Sequence, residues 1–248
     1  MKPYFDFTDR VVVVTGGSRG LGAALCRAFA EHGADVVIAS RKLENCEKLA
    51  REIEANTGRR ALPIAVHAGN WADLERLVET VYAEFGRIDV LINNAGMSPI
   101  ASSSVDTPEG LFDKVIDVNF KGPFRLTALV GSRMAARDGG AIINITSIGA
   151  IRPQPAYGPY AGAKAALNAV TEAFAHEYAP KVRVNAIMPG SFRTDIAKSW
   201  DPSKEASTPA ALKRFGEPEE IVGTVMYLAG DASSFTTGAV IRVDGGRP

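Results

Sequence analysis

In the stretch Val11-Val12-Val13-Val14-Thr15-Gly16-Gly17-Ser18-Arg19-Gly20-Leu21-Gly22, an apolar strand leads through a glycine-rich turn into a helix. Consecutive valines without polar alternation are typical of a strand that is covered on both faces. Beyond the turn, apolar residues recur at helical spacing over residues 21–32. Glycine lets the backbone turn sharply and approach a ligand closely. The stretch therefore predicts a β–α unit whose turn is suited to ligand binding.

The same alternation of strand and helix continues along the chain. Short apolar segments predict six further strands, at residues 36–39, 62–66, 88–92, 141–145, 182–187 and 239–243. Helical patterns lie between them, at residues 43–56, 72–85, 108–136, 160–178 and 218–228. Strand–helix alternation with fully apolar strands favours a parallel sheet. We expect residues 1–248 to form a single α/β domain, a doubly wound Rossmann-type parallel sheet of about seven strands with helices on both faces.

Composition narrows the class of protein. The 248 residues carry 28 Lys and Arg against 28 Asp and Glu, so the formal net charge is zero and neither nucleic acid nor a membrane surface is expected as a partner. We find no signal-peptide pattern and no apolar run long enough to span a bilayer. The two cysteines, Cys26 and Cys46, form no ligand cluster and fit a reducing compartment. A cytoplasmic protein is the expectation.

The glycine-rich turn is a candidate phosphate site. In an open parallel sheet, ligands bind beyond the carboxyl ends of the strands, and a helix N-terminus offers free N–H groups to an anion. The spacing Gly16-x-x-x-Gly20-x-Gly22 differs from the Gly-x-Gly-x-x-Gly dinucleotide fingerprint. A plain strand–helix turn is the alternative. The position of the glycines in the first β–α turn favours dinucleotide binding.

The end of the second predicted strand bears on cofactor choice. An acidic residue there binds the ribose 2′-hydroxyl of NAD, whereas this chain has Ser40-Arg41. A guanidinium pairs with phosphate in a fork, and a serine hydroxyl donates to it. Arg19 in the glycine-rich turn is a second cation for the same group. We therefore expect NADP(H), the alternative being that both arginines are ordinary surface charges.

Tyr160 and Lys164 are candidate catalytic residues. They are four positions apart at the start of a predicted helix, so both side chains lie on one face. A cation beside a phenol lowers its pKa from about 10, which would make Tyr160 an acid in reduction and a base in oxidation. Ser147, after the fifth strand, can hydrogen-bond a substrate oxygen. Asn119, on an apolar stripe, needs a buried partner or water, and a purely structural role is its alternative.

These residues resemble the motifs of the short-chain dehydrogenase/reductase family, and the likeness extends from about Thr8 to Gly246. The matching segments are the turn at residues 15–22, Asn93-Asn94-Ala95-Gly96, Asn119, Ser147, Tyr160-x-x-x-Lys164, Pro189-Gly190 with Thr194, residues 214–221 and Val243-Asp244-Gly245-Gly246. The resemblance implies hydride transfer between NADP(H) and a carbonyl or alcohol substrate in a homotetramer. It further implies that Lys164 bonds the nicotinamide ribose and that Asn119 holds a water in a proton relay. The implied catalytic set is Asn119, Ser147, Tyr160 and Lys164.

The cofactor is expected to lie along the carboxyl ends of the strands. At His67-Ala68-Gly69, many family members have an aspartate that contacts the adenine, so only backbone contacts are expected there. The expected cofactor-binding residues are Gly16, Ser18, Arg19, Gly20, Leu21, Ser40, Arg41, His67, Ala68, Asn94, Tyr160, Lys164, Gly190, Phe192 and Thr194.

The substrate remains open at the level of sequence. Residues 191–215 are irregular and are expected to form a lid over the site, with residues 97–100 and 148–157 as further walls. A 3-oxoacyl thioester, a small ketone, a sugar, a quinone and a steroid are all compatible, and 3-oxoacyl-carrier-protein reductases are the comparison within the family. An NADP(H) sensor without turnover, and epimerisation or dehydration through bound cofactor, are the alternatives. The three histidines lack metal-site spacing, so no metal is expected.

Overall fold

The computed structural model describes residues 5–194 and 208–248. This described part contains a sheet of seven strands in the order β3-β2-β1-β4-β5-β6-β7, and every neighbouring pair is parallel. The predicted Rossmann-type α/β class is therefore confirmed. The strands are β1 (Val11–Thr15), β2 (Asp35–Ser40), β3 (Ala61–Ala65), β4 (Val90–Asn93), β5 (Gly140–Ile145), β6 (Val182–Pro189) and β7 (Val240–Val243).

Helices connect the strands and cover both faces of the sheet. Most of their bounds agree with the predicted ones to within two residues, and the stretch predicted as helical over 108–136 is helical from residue 109 to residue 135 but not of one helix type. A π-helical turn, Asp117–Lys121, interrupts it. A 3₁₀ turn, Pro218–Ile221, begins the helix predicted at 218–228. The α-helices are α1 (Gly20–Glu31), α2 (Leu43–Thr57), α3 (Trp71–Phe85), α4 (Glu109–Ile116), α5 (Gly122–Ala135), α6 (Gly158–Glu177) and α7 (Val222–Ala229).

Two apolar cores lie on opposite faces of the sheet. Because successive side chains of a strand point to opposite faces, Val12 and Val14 of β1 enter one core and Val11 and Val13 enter the other. Helices α1, α2 and α7 cover the first core, and α3, α5 and α6 cover the second. This double burial is the physical reason for the unbroken valine run in β1.

The order of the strands places a crevice beside the first strand. The chain winds outward from β1 to β2 and β3, and then returns to place β4 on the other side of β1. Such a reversal separates the two adjoining connections and opens a crevice at the carboxyl ends of the strands. Thr15 ends β1, Asn94 follows β4 and Ser147 follows β5 near this edge.

The expected lid can be compared with the structure only in part. Residues 195–207, in the middle of the expected lid at 191–215, lie outside the described residues. Within residues 5–194 and 208–248, no helix has the length and apolar character needed to cross a membrane. The same ranges contain no group of three or more His, Cys, Asp or Glu side chains that could hold a metal ion.

Candidate active site

The glycine-rich turn is held against the end of β4. Gly16 has a φ of +64°, and a Cβ on it would lie 3.0 Å from the side-chain nitrogen of Asn94. That nitrogen donates to the carbonyl oxygens of Thr15 and Gly16, at 2.9 and 3.2 Å. The Thr15 hydroxyl oxygen accepts from the backbone N–H groups of Asn94 and Ala95, both at 3.1 Å. Asn94 thus shapes the turn with its own side chain.

The N-terminus of α1 is open to an anion. The helix begins after Arg19, whose backbone is extended, and no side chain caps the first turn or places a carboxylate in it. Gly20 has a φ of +53°, and a Cβ on it would come within 3.3 Å of Thr194. Free N–H groups, the helix dipole and a backbone without side-chain bulk fit the pyrophosphate of a dinucleotide. Leu21 is partly buried against the core behind this turn.

The end of β2 is polar and cationic. The Ser18 hydroxyl donates to the Ser40 hydroxyl oxygen at 3.0 Å, so the glycine-rich turn and β2 meet at this point. Arg19 and Arg41 are both exposed beside them. No acidic side chain stands at Ser40-Arg41, where an NAD-specific site would place its carboxylate.

The loop after β3 is fixed by Asp73. Its carboxylate accepts the backbone N–H of His67 at 2.9 Å, and this bond lowers the pKa of Asp73. The ring nitrogen Nδ1 of His67 in turn accepts the Gly69 N–H at 3.2 Å. A Cβ on Gly122 would lie 1.8 Å from the Ala68 carbonyl oxygen, so this glycine permits α5 to approach the loop. Backbone groups at His67 and Ala68 are therefore held in place beside the π turn.

Three side chains meet around Gly149. A Cβ on that glycine would lie 3.3 Å from the Ser147 hydroxyl oxygen, 3.3 Å from the Tyr157 ring and 3.6 Å from the Tyr160 ring. The Ser147 oxygen accepts the Gly149 N–H at 3.0 Å, which caps a short 3₁₀ turn. The rings of Tyr157 and Tyr160 meet edge to face, with centroids 6.0 Å apart. The sequence prediction that Ser147 and Tyr160 share one site is consistent with this geometry.

Lys164 lies in the interior behind Tyr160. Only 3% of the residue is exposed, and its Nζ donates to the Ile145 carbonyl oxygen at 2.8 Å. Nζ is also 6.0 Å from the centre of the Tyr160 ring. Burial lowers the pKa of Lys164 to about 7, since the charged amine loses its hydration.

The pKa of Tyr160 shifts in the direction opposite to the sequence expectation. Burial raises it above its usual value of 10, the hydrogen bond with Ser147 opposes this rise, and the Tyr157 phenol adds to it. The prediction that the pKa of Tyr160 is lowered was therefore wrong. Desolvation of the phenolate is the larger effect.

Asn119 lies within the π turn and is fully buried. Its side-chain nitrogen donates to the carbonyl oxygens of Met97 and Val115, at 2.8 and 2.9 Å, and its side-chain oxygen accepts the Met97 N–H at 3.2 Å. A Cβ on Gly96 would lie 3.1 Å from this oxygen and 3.7 Å from Lys164 Nζ. The Asn119 amide therefore fastens the loop after β4 close to the lysine.

The segment after β6 adjoins the C-terminal strand. Gly190 donates its N–H to the Val243 carbonyl oxygen at 2.9 Å, and a Cβ on it would lie 2.8 Å from the Asp244 backbone. Phe192 is buried at 6% exposure, and its ring would meet a Cβ on Gly216 at 2.8 Å. The Phe192 side chain thus packs into the interior, which leaves its backbone for contact with a ligand.

The sequence reasoning missed several residues that shape the site. Thr15, Gly96 and Gly149 make the contacts described above, yet none was singled out as a candidate. Thr15 carried a usable signal, because it is the polar residue that ends an apolar strand. Gly96 belongs to the motif Asn93-Asn94-Ala95-Gly96, whereas Gly149 carried no signal, since its contacts with Ser147, Tyr157 and Tyr160 are formed only in the folded protein.

Known proteins resemble this chain over nearly its full length. A family model described as enoyl-(acyl carrier protein) reductase matches residues 16–247. Dehydrogenase/reductase SDR family member 4 of Bos taurus is 39% identical over 243 residues, covering 96% of this chain and 87% of that protein. The 3-oxoacyl-[acyl-carrier-protein] reductase FabG of Thermotoga maritima is 36% identical, covering 96% and 97%.

A solved structure with the same fold is L-sorbose reductase from Gluconobacter frateurii, in complex with NADPH and L-sorbose. It is 29% identical, with a TM-score of 0.92 and coverage of 99% of this chain and 98% of that one. The matches span nearly the full length and include the glycine-rich turn, Ser147, Tyr160 and Lys164 within the matched region. The chain therefore belongs to the short-chain dehydrogenase/reductase family of NAD(P)-dependent oxidoreductases.

Proposed function

We propose that this protein is an NADP(H)-dependent reductase of a carbonyl substrate, with the alcohol as its product, and that Tyr160 is its acid and base. The observation that carries the proposal is the convergence of Ser147 and Tyr160 on Gly149, with the Lys164 amine buried behind them. A phenol, a hydroxyl and an amine at the carboxyl end of β5 match the needs of proton transfer to a carbonyl oxygen.

Tyr160 supplies the proton in this mechanism. Its raised pKa keeps the phenol protonated at neutral pH, which suits proton donation to the oxygen of a reduced carbonyl. The Gly149 N–H holds the Ser147 hydroxyl beside Tyr160, and with substrate bound this hydroxyl donates its hydrogen to the substrate oxygen. Bound nicotinamide supplies the hydride in reduction and accepts it in oxidation.

Lys164 and Asn119 support Tyr160. The Lys164 amine has donors beyond the one used by Ile145, and these bond the nicotinamide ribose. The charged form of the Lys164 amine, whose share falls as the pH rises through its pKa of about 7, assists proton release from Tyr160 during alcohol oxidation. Asn119 holds a water of the relay that returns a proton to Lys164, while its side-chain nitrogen donates to the Met97 and Val115 carbonyl oxygens and keeps the π turn in place.

The preference for NADP(H) rests on the end of β2. Arg41 and Arg19 pair with the 2′-phosphate, and Ser40 donates to it because its oxygen already accepts from Ser18. The NADPH complex of the Gluconobacter reductase supports this preference. The remaining cofactor contacts come from the pyrophosphate turn, the adenine loop and the nicotinamide side: Gly16, Gly20, Leu21, His67, Ala68, Asn94, Gly190, Phe192 and Thr194.

The proposal also covers the substrate contacts and the oligomeric state of the protein. Arg152, Gln154 and Tyr157, on the wall expected at residues 148–157, contact the polar groups of a small carbonyl substrate. The family resemblance implies an assembly of four copies, and the exposed rings of Phe112 on α4 and Phe124 on α5, at 47% and 38% exposure, are an apolar surface suited to such contacts. Residues 1–248 act as one domain.

The test is NADPH oxidation by purified protein, followed by absorbance, with a 3-oxoacyl thioester, a cyclic ketone and a ketose as acceptors. The proposal predicts stoichiometric NADPH loss with at least one acceptor, and slower loss of NADH. Cofactor binding without turnover would identify a sensor. Substrate conversion without net NADPH loss would identify epimerisation or dehydration. Either result contradicts the proposal.

A further inference from the structure

Four buried polar side chains form a hydrogen-bonded network beneath the candidate active site. Asn93 of β4 donates to the Thr127 hydroxyl oxygen of α5 at 3.0 Å and to the Asn144 side-chain oxygen of β5 at 2.8 Å. Asn144 donates to the Thr171 hydroxyl oxygen of α6 at 2.9 Å. All four are at most 2% exposed. Two strands and two helices are thus tied together by groups that water does not reach.

The network adjoins the active-site groups through the next residues in the chain. Asn94, after Asn93, holds the glycine-rich turn. Ile145, after Asn144, presents the carbonyl oxygen that accepts from Lys164 Nζ. The same helix α6 carries Tyr160, Lys164 and Thr171, and the Thr171 hydroxyl donates to the Leu167 carbonyl oxygen at 2.7 Å, within one turn of the lysine.

Burial makes this network selective for one arrangement. A buried amide or hydroxyl without a partner costs about 1–3 kcal/mol, so each side chain has to meet its partner. Asn93 and Asn144 are direct neighbours in the register of β4 and β5. The hydrogen bond between Asn144 and Thr171 forms only when α6 lies at one position along the axis of β5. An apolar set of the same size would place no hydrogen-bond requirement on the height of the helix.

We propose that Asn144 and Thr171 are positioning residues that set the height of α6 along β5. They thereby bring Lys164 Nζ to the Ile145 carbonyl and the Tyr160 hydroxyl to Ser147. Because α6 is one continuous helix, a displacement at Thr171 is carried about 16 Å along its axis to Tyr160. The inference rests on the roles proposed above for Tyr160 and Lys164.

The test is Thr171→Val, which keeps the shape of the side chain and removes its hydroxyl. The matched control is Ser233→Ala, which removes a 1% exposed hydroxyl bonded to the Leu228 carbonyl and to Arg183, outside α6. We measure kcat, its pH profile, the KM for NADPH and the Tm, using the best acceptor of the wild type. Thr171→Ser tests rescue. Thr171→Cys, whose thiol is a weaker partner, replaces Thr171→Val if that variant does not fold.

Thr171→Val is expected to lower kcat about tenfold and to shift its pH profile, with the KM for NADPH within about twofold, because misplacement of reacting groups acts on the chemical step. Thr171→Ser restores kcat, Thr171→Cys gives an intermediate value, and Ser233→Ala lowers Tm with kcat nearly unchanged. Equal kcat in Thr171→Val and wild type, or equal losses in Thr171→Val and Ser233→Ala, would overturn the inference. An inactive wild type would instead overturn the proposed function.

Discussion

At the scale of single residues, the environment of each catalytic candidate alters its chemistry. Tyr160 and Lys164 are both shifted towards their uncharged forms, because burial penalises a phenolate and an ammonium alike. Their four-residue spacing was readable in the sequence. The directions of the pKa shifts were not, because they depend on how much water each side chain loses in the folded protein.

The lowered pKa of Lys164 predicts a dependence of stability on pH. Above pH 7 the folded protein releases this proton, while the unfolded chain keeps it up to about pH 10. The unfolded state then binds more protons, so the Lys164 contribution to stability rises with pH in this window. Relative to Lys164→Met, the wild type should gain roughly 2 kcal/mol in unfolding free energy from pH 7 to pH 9.

Urea unfolding of wild type and Lys164→Met at several pH values measures this difference, and titrations common to both proteins cancel. A difference that stays constant or falls as the pH rises would show that Lys164 keeps an ordinary pKa in the folded protein. Lys164→Met should also lose most NADPH oxidation, since no amine remains behind Tyr160.

Cofactor preference is a second property of single residues. Ser40→Asp combined with Arg41→Ala places a carboxylate where the 2′-phosphate is expected and removes its guanidinium partner. The ratio of kcat/KM for NADPH to that for NADH should fall about tenfold or more, since charge-assisted hydrogen bonds are lost and repulsion is added. Arg51→Ala, which removes an exposed cation from α2, should leave the ratio unchanged. An unaltered ratio in the double variant would contradict the assignment.

At the scale of elements, the sequence predicted which segments are helices and strands better than how they contact one another. The apolar pattern of the sequence predicted α6 and β1, because burial on one face or on both faces of an element leaves a repeating pattern of apolar residues. It missed the π turn at Asp117–Lys121, since one extra residue in a helical turn barely changes the period. It also missed the pairing of Asn93 with Asn144, which depends on strand register.

The contact between α5 and the loop at residues 67–69, where the adenine is expected, gives a prediction at this scale. A Cβ on Gly122 would overlap the Ala68 carbonyl, whereas a Cβ on Gly110 of α4 meets no atom within 4 Å. Gly122→Ala should therefore displace the loop and raise the KM for NADPH about fivefold, a cost of about 1 kcal/mol in binding. Gly110→Ala should keep the wild-type KM and raise stability by about 0.5–1 kcal/mol. Tight NADPH binding by Gly122→Ala would show that this loop does not contact the cofactor.

At the scale of the whole molecule, the strand order brings the separate signals together. The site residues all lie at the carboxyl edge of the sheet, although they are up to 149 positions apart in the chain. They come from the glycine-rich turn, the Asn94 loop, the Ser147 turn and α6. This convergence was predictable, because parallel α/β sheets place their ligands at that edge. The substrate was not, because the expected lid at residues 191–215 mixes aromatic and cationic side chains that are compatible with several classes of carbonyl compound.

Assembly is the prediction that belongs to the whole molecule. Light scattering coupled to size-exclusion chromatography should give the mass of four chains. Phe112→Glu with Phe124→Glu should lower that mass, because charged side chains are disfavoured at the centre of an interface. A monomeric wild type would contradict the proposed tetramer while leaving the chemistry untouched.

The most direct measurement of the central claim is the rate of NADPH oxidation by Tyr160→Phe, which keeps the ring and removes the exchangeable proton. Tyr82→Phe is the matched control, since that tyrosine lies on α3 beneath Arg133. Tyr160→Phe should lower kcat by about 100-fold or more while NADPH still binds, and Tyr82→Phe should retain the wild-type rate. Turnover by Tyr160→Phe at the wild-type rate would contradict the account.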